Sequence, residues 1–98
     1  MTFTQIIEFS TTRIDAFNAE FDAWKAHTEG PRIPHRAVLS RDRDVEDGDL
    51  VTLQFSSYDV AMANSARPET AAFAAFLSRL STGPMRFRNL DVLRTEDL

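Results

Sequence analysis

Apolar and polar residues alternate along four segments of the chain, with the two-residue period of a β-strand that buries one face. The predicted strands cover residues 2–9, 35–41, 49–55 and 85–95. The residues expected to face the core are Phe3, Ile7 and Phe9 in the first strand and Val51, Leu53 and Phe55 in the third. In the last strand, Arg86, Arg88 and Arg94 lie on the face opposite Phe87, Asn89 and Asp91.

Three other segments have the spacing of helices. Residues Ile14, Phe17, Phe21 and Trp24 recur every three or four positions and predict one apolar stripe on a helix over 13–28, which Gly30-Pro31 should end. Ser56 and Ser57 offer an N-cap to a short helix over 58–65. Pro68 suits the first turn of a third helix over 68–81. The apolar face of the third helix consists of Phe73, Phe76, Leu77 and Leu80.

The order of these elements predicts an α+β fold of ferredoxin-like β-α-β-β-α-β topology. Right-handed crossovers then give a four-stranded antiparallel sheet with the helices on one face. The other sheet face is a mixture of apolar and polar side chains, namely Thr4, Ile6, Glu8, Leu50, Thr52 and Gln54. A second copy packed on that face would form a homodimer that encloses a partly polar barrel.

Composition narrows the class of protein. The 98 residues predict one domain over 1–98, and a hydrophobic content of 43% excludes intrinsic disorder. Eleven basic against fifteen acidic residues give a net charge of −4, which disfavours binding to nucleic acid or an anionic membrane. The sequence contains no cysteine, which excludes disulfides and a thiolate nucleophile. With no apolar run long enough to span a membrane and no signal-peptide pattern, we expect a cytoplasmic protein.

The segment from the third predicted strand to the end resembles the antibiotic-biosynthesis-monooxygenase-like proteins of the dimeric α/β-barrel superfamily. The resemblance is carried by FSSYDVAMANSARPET, AAFAAFLSRLSTGP and RFRNLDVLR, within about residues 51–94. It implies a homodimer whose two sheets form one barrel, with a pocket for a small molecule. The leading activity that it implies is oxygenation of an aromatic, polyketide-like molecule with no metal, flavin or other cofactor.

The sequence departs from the family pattern at several positions. Val51 and Phe55 stand where quinone-forming members have Asn and Trp, and Asn64 stands where members often have His. Haem-degrading members use an Asn on the first strand, where this chain has Ile6-Ile7-Glu8. Two alternatives therefore stay open, a non-catalytic ligand-binding or accessory dimer and a haem-binding member with one of the histidines as axial ligand.

Three residues are candidates for catalysis. His35, at the mouth of the second strand, is the predicted general base, and His27 is the other near-neutral base of the chain. Tyr58 and Asn64 are predicted to orient a phenol or carbonyl oxygen of the substrate. The structural alternatives are a surface aromatic for Tyr58 and a helix-ending role for Asn64.

Three further residues are candidates for substrate binding. Trp24 could stack on a planar ligand, although its place on a helical stripe also fits a core residue. Arg67 and Arg88 could pair with an enolate or carboxylate. The alternatives are capping of the third helix for Arg67 and a dimer salt bridge with Glu8 or another acid for Arg88. Asn89 and Asp91 are expected to form hydrogen bonds at a rim or with a partner.

A metal site is not predicted. The two histidines lie eight residues apart with no neighbouring ligand set. The acidic stretch from Asp42 to Asp49 does not follow the spacing of a calcium loop, because Asp47 takes the sixth position that requires Gly. A solvated loop between two strands is the expected structure there.

Overall fold

The computed structural model describes residues 2–27 and 34–98. Its elements in chain order are β1 (Phe3–Ser10), α1 (Ile14–His27), β2 (Arg36–Arg41), β3 (Gly48–Phe55), α2 (Tyr58–Ser65), α3 (Pro68–Leu80) and β4 (Arg86–Asp91). The strands form one antiparallel sheet in the order β2-β3-β1-β4. The predicted α+β, ferredoxin-like fold is confirmed, and the predicted Gly30-Pro31 helix end lies outside the described residues.

The register of the sheet confirms which side chains face the helices. Ile7 on the central strand β1 lies opposite Val51 on one side and Phe87 on the other. Residues opposite each other in antiparallel strands share a face, so alternate positions sort cleanly into a helix-facing set and an open set. The helix-facing set includes the buried residues Phe3, Ile7, Phe9, Val51 and Phe55.

The core between sheet and helices is rich in aromatic rings. Phe17 of α1 is 2% exposed and stacks on Phe9 with ring centroids 5.5 Å apart. Phe73 of α3 meets Phe17 edge-on at 5.7 Å, and Leu77 is fully buried beside them. Phe73, Leu77 and Leu80 of the predicted α3 face belong to this core, whereas Phe76 is half-buried and lies outside it.

The last strand is shorter than expected. Asp91 ends β4 because it lies opposite Phe3, where β1 begins, and no further β1 backbone is available for pairing. The final contact of this edge is the hydrogen bond from the Val92 amide to the Thr2 carbonyl, at 2.9 Å. The predicted strand over 85–95 is therefore corrected to Arg86–Asp91.

The acidic segment joins β2 to β3 as a hairpin loop, as expected. Asp47 adopts a left-handed backbone with φ of 55°. Gly48 packs so closely on Val45 that an added Cβ would lie 2.7 Å from the valine Cγ1. The carboxylate of Asp49, whose side chain is 1% exposed, accepts from Arg41 at 2.9 Å, and this contact raises the pKa of the guanidinium.

The described residues lack two features, a metal-binding group and a membrane-spanning helix. Among the described residues, no group of three or more His, Asp or Glu side chains is arranged to hold a metal ion. Within the same part of the chain, none of the helices is both long and apolar enough to cross a membrane.

Candidate functional site

A cavity of about 370 Å³ lies between the helical layer and the helix-facing side of the sheet. Its walls come from α1, from the end of α2, from α3, from Pro34 before β2 and from the strands β1, β3 and β4. Most of the lining is aliphatic or aromatic, with a few amide and hydroxyl groups. This combination is typical of a pocket for a small organic molecule.

Aromatic rings form one side of the cavity. Phe21 and Trp24 of α1 lie with ring centroids 5.5 Å apart and a tilt of 34°. Phe73 of α3 meets both of them edge-on, at 6.1 Å from Phe21 and 6.4 Å from Trp24. Phe87, which is 50% exposed, adds a ring from the sheet. Planar surfaces of this kind favour an aromatic ligand.

The junction between α2 and α3 contributes Asn64. Because Pro68 opens α3 directly after α2 ends, the chain turns sharply, and the Arg67 amide donates to the Asn64 backbone carbonyl at 3.1 Å. The turn brings Thr70 beside Asn64, and the Thr70 hydroxyl donates to Asn64 Oδ1 at 3.3 Å. Asn64 is 4% exposed, and its side chain borders the cavity.

The sheet contributes a second polar group, of which Asn89 was expected from the sequence to form a hydrogen bond and Gln5 was not identified. Gln5 of β1 lies directly opposite Asn89 of β4, and Gln5 Nε2 donates to Asn89 Oδ1 at 3.1 Å. Both side chains line the cavity. The sequence does contain an indication of this site. Gln5 lies between Phe3 and Ile7 on the core-facing side of the first strand, where a polar residue is unusual.

The cavity is electrically neutral in the part of the chain that the structure describes. None of the described side chains that line it is ionisable, and its polar groups are amides and hydroxyls. Two groups with shifted pKa values lie elsewhere. The hydrogen bond from Arg13 lowers the pKa of Asp15, and the Asp49 carboxylate raises the pKa of Arg41.

The structure brings two of the six predicted site residues to the cavity, Trp24 and Asn64. His35 is exposed and donates its backbone N–H to the Gln54 carbonyl at 3.0 Å, one residue after Pro34, which lines the cavity. Tyr58 begins α2, is 53% exposed and places its ring edge-on against Phe3 at 5.5 Å.

The two predicted arginines lie outside the cavity lining. Arg67 forms an ion pair with Glu69 at 3.5 Å on the first turn of α3. Arg88 lies opposite Ile6 on the open face of the sheet. Within the chain, Glu8 pairs with Arg86 at 3.8 Å, and the salt bridge of Arg88 across a dimer stays a prediction.

Comparison with known proteins gives matches in structure. No protein-family model matches the chain, and no curated protein sequence matches it. Rv0793 from Mycobacterium tuberculosis superposes with a TM-score of 0.76 at 17% identity, over 99% of this chain and 100% of its own. A protein from Caulobacter crescentus, proposed to be an antibiotic biosynthesis monooxygenase, gives 0.77 at 14% identity over 95% of this chain and 91% of its own.

A mutant of SnoaB, a cofactor-independent oxygenase from Streptomyces nogalater, is also similar. Its TM-score is 0.74 at 21% identity, over 96% of this chain and 95% of its own. Identities this low establish the architecture and leave the chemistry to the residues of this chain. The chain therefore has the fold of these antibiotic-biosynthesis-monooxygenase-like proteins.

Proposed function

We propose that the chain is a monooxygenase-like protein that binds a small aromatic, polyketide-like molecule in the cavity and oxygenates it without metal or flavin. The observation that carries this proposal is the aromatic cavity with its buried Asn64, in a fold shared with a cofactor-independent oxygenase. The rings would hold a planar substrate, and the amide would meet its phenol or enol oxygen.

The reaction would begin with loss of a proton from an activated phenol or enol. The resulting anion is rich in electrons and can pass one to molecular oxygen. For a substrate with an activated methylene, CH₂ and O₂ become C=O and H₂O. One oxygen atom enters the carbonyl, the other leaves as water with both hydrogens, and the substrate supplies all four electrons.

Asn64 suits the task of stabilising the anion. The hydroxyl of Thr70 donates to the carbonyl oxygen of this amide, which leaves the amide N–H groups for a ligand oxygen. A fixed donor aimed at the developing charge acts mainly on the transition state, because it needs no reorganisation during the reaction. Thr70 is in this sense a positioning residue for Asn64.

His35 is the proposed proton acceptor at the edge of the cavity. It follows Pro34, which lines the cavity, so a substrate that extends past Pro34 would reach this residue. His27, the last residue of α1, provides a matched control, because both histidines are exposed.

Oxygen consumption with anthrone tests this function. Anthrone is a tricyclic ketone with an activated methylene, and its enol tautomer is a phenol. We expect one O₂ consumed per anthrone oxidised to the quinone, at a rate above the buffer reaction. His35→Gln should lower kcat about 100-fold or more, the usual contribution of a general base, while His27→Gln leaves it unchanged. Equal rates with and without the protein would refute catalysis.

A non-catalytic ligand-binding protein is the second candidate. The observation that favours it is the absence of an ionisable side chain among the described residues that line the cavity. Tight binding of an aromatic ligand with no acceleration of oxygen uptake would support this candidate over the oxygenase.

We also propose that the working form is a homodimer. The open face of the sheet presents rows of side chains that include Ile6, Val38, Leu50 and Leu90, and Val38 and Leu90 are 39% and 37% exposed. Charged residues such as Arg88 and the Glu8–Arg86 pair interrupt this apolar surface. A second copy would cover the apolar positions and offer partners to the charges.

A further inference from the structure

Gln5 and Asn89 form a preformed hydrogen-bonding pair on the sheet side of the cavity. Their contact at 3.1 Å uses one N–H of Gln5 and the carbonyl oxygen of Asn89. The Gln5 carbonyl oxygen, its second N–H and both N–H groups of Asn89 remain available to a ligand. Whichever way the two amides are placed, the pair retains unused N–H donors and at least one unused acceptor.

The neighbourhood of this pair favours an aromatic ligand. Phe87 lies on the same face of β4, two residues before Asn89, and is half-exposed in the isolated chain. A planar molecule placed against Phe87 would cover its apolar surface while its polar group reached the amides. Removing the Phe87 ring from water would stabilise the complex through the hydrophobic effect.

The same neighbourhood disfavours a charged ligand. The described lining offers no cation for a carboxylate and no carboxylate for an ammonium group. An ion bound there loses part of its hydration, because Gln5 is half-buried although Asn89 is exposed, and it gains only neutral hydrogen bonds, whereas a neutral amide or hydroxyl loses less.

We propose that the Gln5–Asn89 pair is a specificity determinant, which selects an uncharged aromatic ligand whose polar group both donates and accepts hydrogen bonds. This inference rests on the part of the proposed function that places a ligand in the cavity. It does not depend on whether that ligand is then oxygenated.

Two compounds of nearly equal shape test the selection. Naphthalene-2-carboxamide is neutral and can both donate and accept, while naphthalene-2-carboxylate carries one negative charge at pH 7. Calorimetric titration into the full chain should show the carboxamide binding about tenfold or more tightly. Quenching of Trp24, the only tryptophan of the chain, should report the same order, because this residue lines the cavity.

Variants of the pair assign the selection to these residues. Gln5→Leu and Asn89→Leu should each weaken carboxamide binding about tenfold and bring it close to the carboxylate. Gln54→Leu is the matched control, because Gln54 is also a strand glutamine but lies opposite Thr4 and Arg36 on the open face. Its carboxamide affinity should equal that of the wild type.

Each contrary result has a defined meaning. Equal affinity for the two compounds would overturn the selection of an uncharged ligand, and unchanged affinity in both pair variants would overturn the role of the amides. A loss in Gln54→Leu equal to that in Gln5→Leu would move the site to the open face of the sheet. Failure of both compounds to bind at millimolar concentration would remove this inference together with the proposed ligand site. Selective binding of the carboxamide without oxygenation would support the inference about the Gln5–Asn89 pair and refute only the proposed catalysis.

Discussion

Replacing Asn64 with alanine tests whether the junction between α2 and α3 is both a structural contact and a wall of the ligand site. The change removes the hydrogen bond from Thr70, whose length of 3.3 Å places it among the weaker ones. The deleted atoms border an existing cavity, so the cost of a new void is small. We therefore expect a loss of about 1 kcal/mol in the free energy of unfolding.

A loss of this size is measurable in a domain of this length. It should lower the melting temperature by about 4–8 °C. Thr70→Val removes the same hydrogen bond from the other side, so the double variant should lose about as much as each single variant. Additive losses, or an unchanged melting temperature in Asn64→Ala, would show that the contact does not stabilise the junction.

The catalytic half of the test uses anthrone oxidation. Loss of a preorganised donor to a developing oxyanion costs about 100-fold in kcat, so Asn64→Ala should be slowed by that order. Arg67→Ala is the control, since its ion pair with Glu69 is partly exposed and contributes at most about 1 kcal/mol. A destabilised Asn64→Ala with wild-type kcat would leave Asn64 with a structural role alone.

Three further changes test the core, the loop and the proposed dimer. Phe17→Ala should destabilise by about 3–5 kcal/mol and half-buried Phe76→Ala by about 1–2, and urea unfolding that reversed this order would contradict the described packing. Arg41→Ala should lower the midpoint of urea unfolding, because it leaves the buried Asp49 carboxylate unpaired, and an unchanged midpoint would contradict this. Light scattering should find the wild type dimeric at micromolar concentration and Ile6→Lys monomeric; a monomeric wild type would refute the dimer.

The strands and helices were predictable because their periods are strong. Phe3, Ile7 and Phe9 have the spacing of one sheet face, and burial at 2%, 7% and 3% confirms it. The α3 stripe was less certain, since Phe76 lies at one edge of the apolar face and outside the core cluster that includes Phe73 and Leu77. Contact with α1 decides which of them are buried, and the sequence pattern does not contain that contact.

The site was predictable only where a single element sufficed to define it. Asn64 follows from the Pro68 break, and Trp24 follows from the α1 stripe, so both were identified. Gln5 and Asn89 are 84 residues apart in the sequence and meet only because the first and last strands pair. That pairing depends on sheet register, which one strand alone does not reveal.

A neutral cavity also constrains how the first proton leaves the substrate. If the described lining supplies only amides and hydroxyls as polar groups, the acidity must come from the substrate, helped by hydrogen bonds such as that from Asn64 to the developing anion. The pH dependence of kcat would then move when a more acidic phenol replaces a less acidic one. A protein base such as His35 predicts a profile that keeps its position across substrates and disappears in His35→Gln. Measuring two phenols of different acidity in the wild type and in this variant separates the two mechanisms, since a fixed profile that survives the substitution would contradict both.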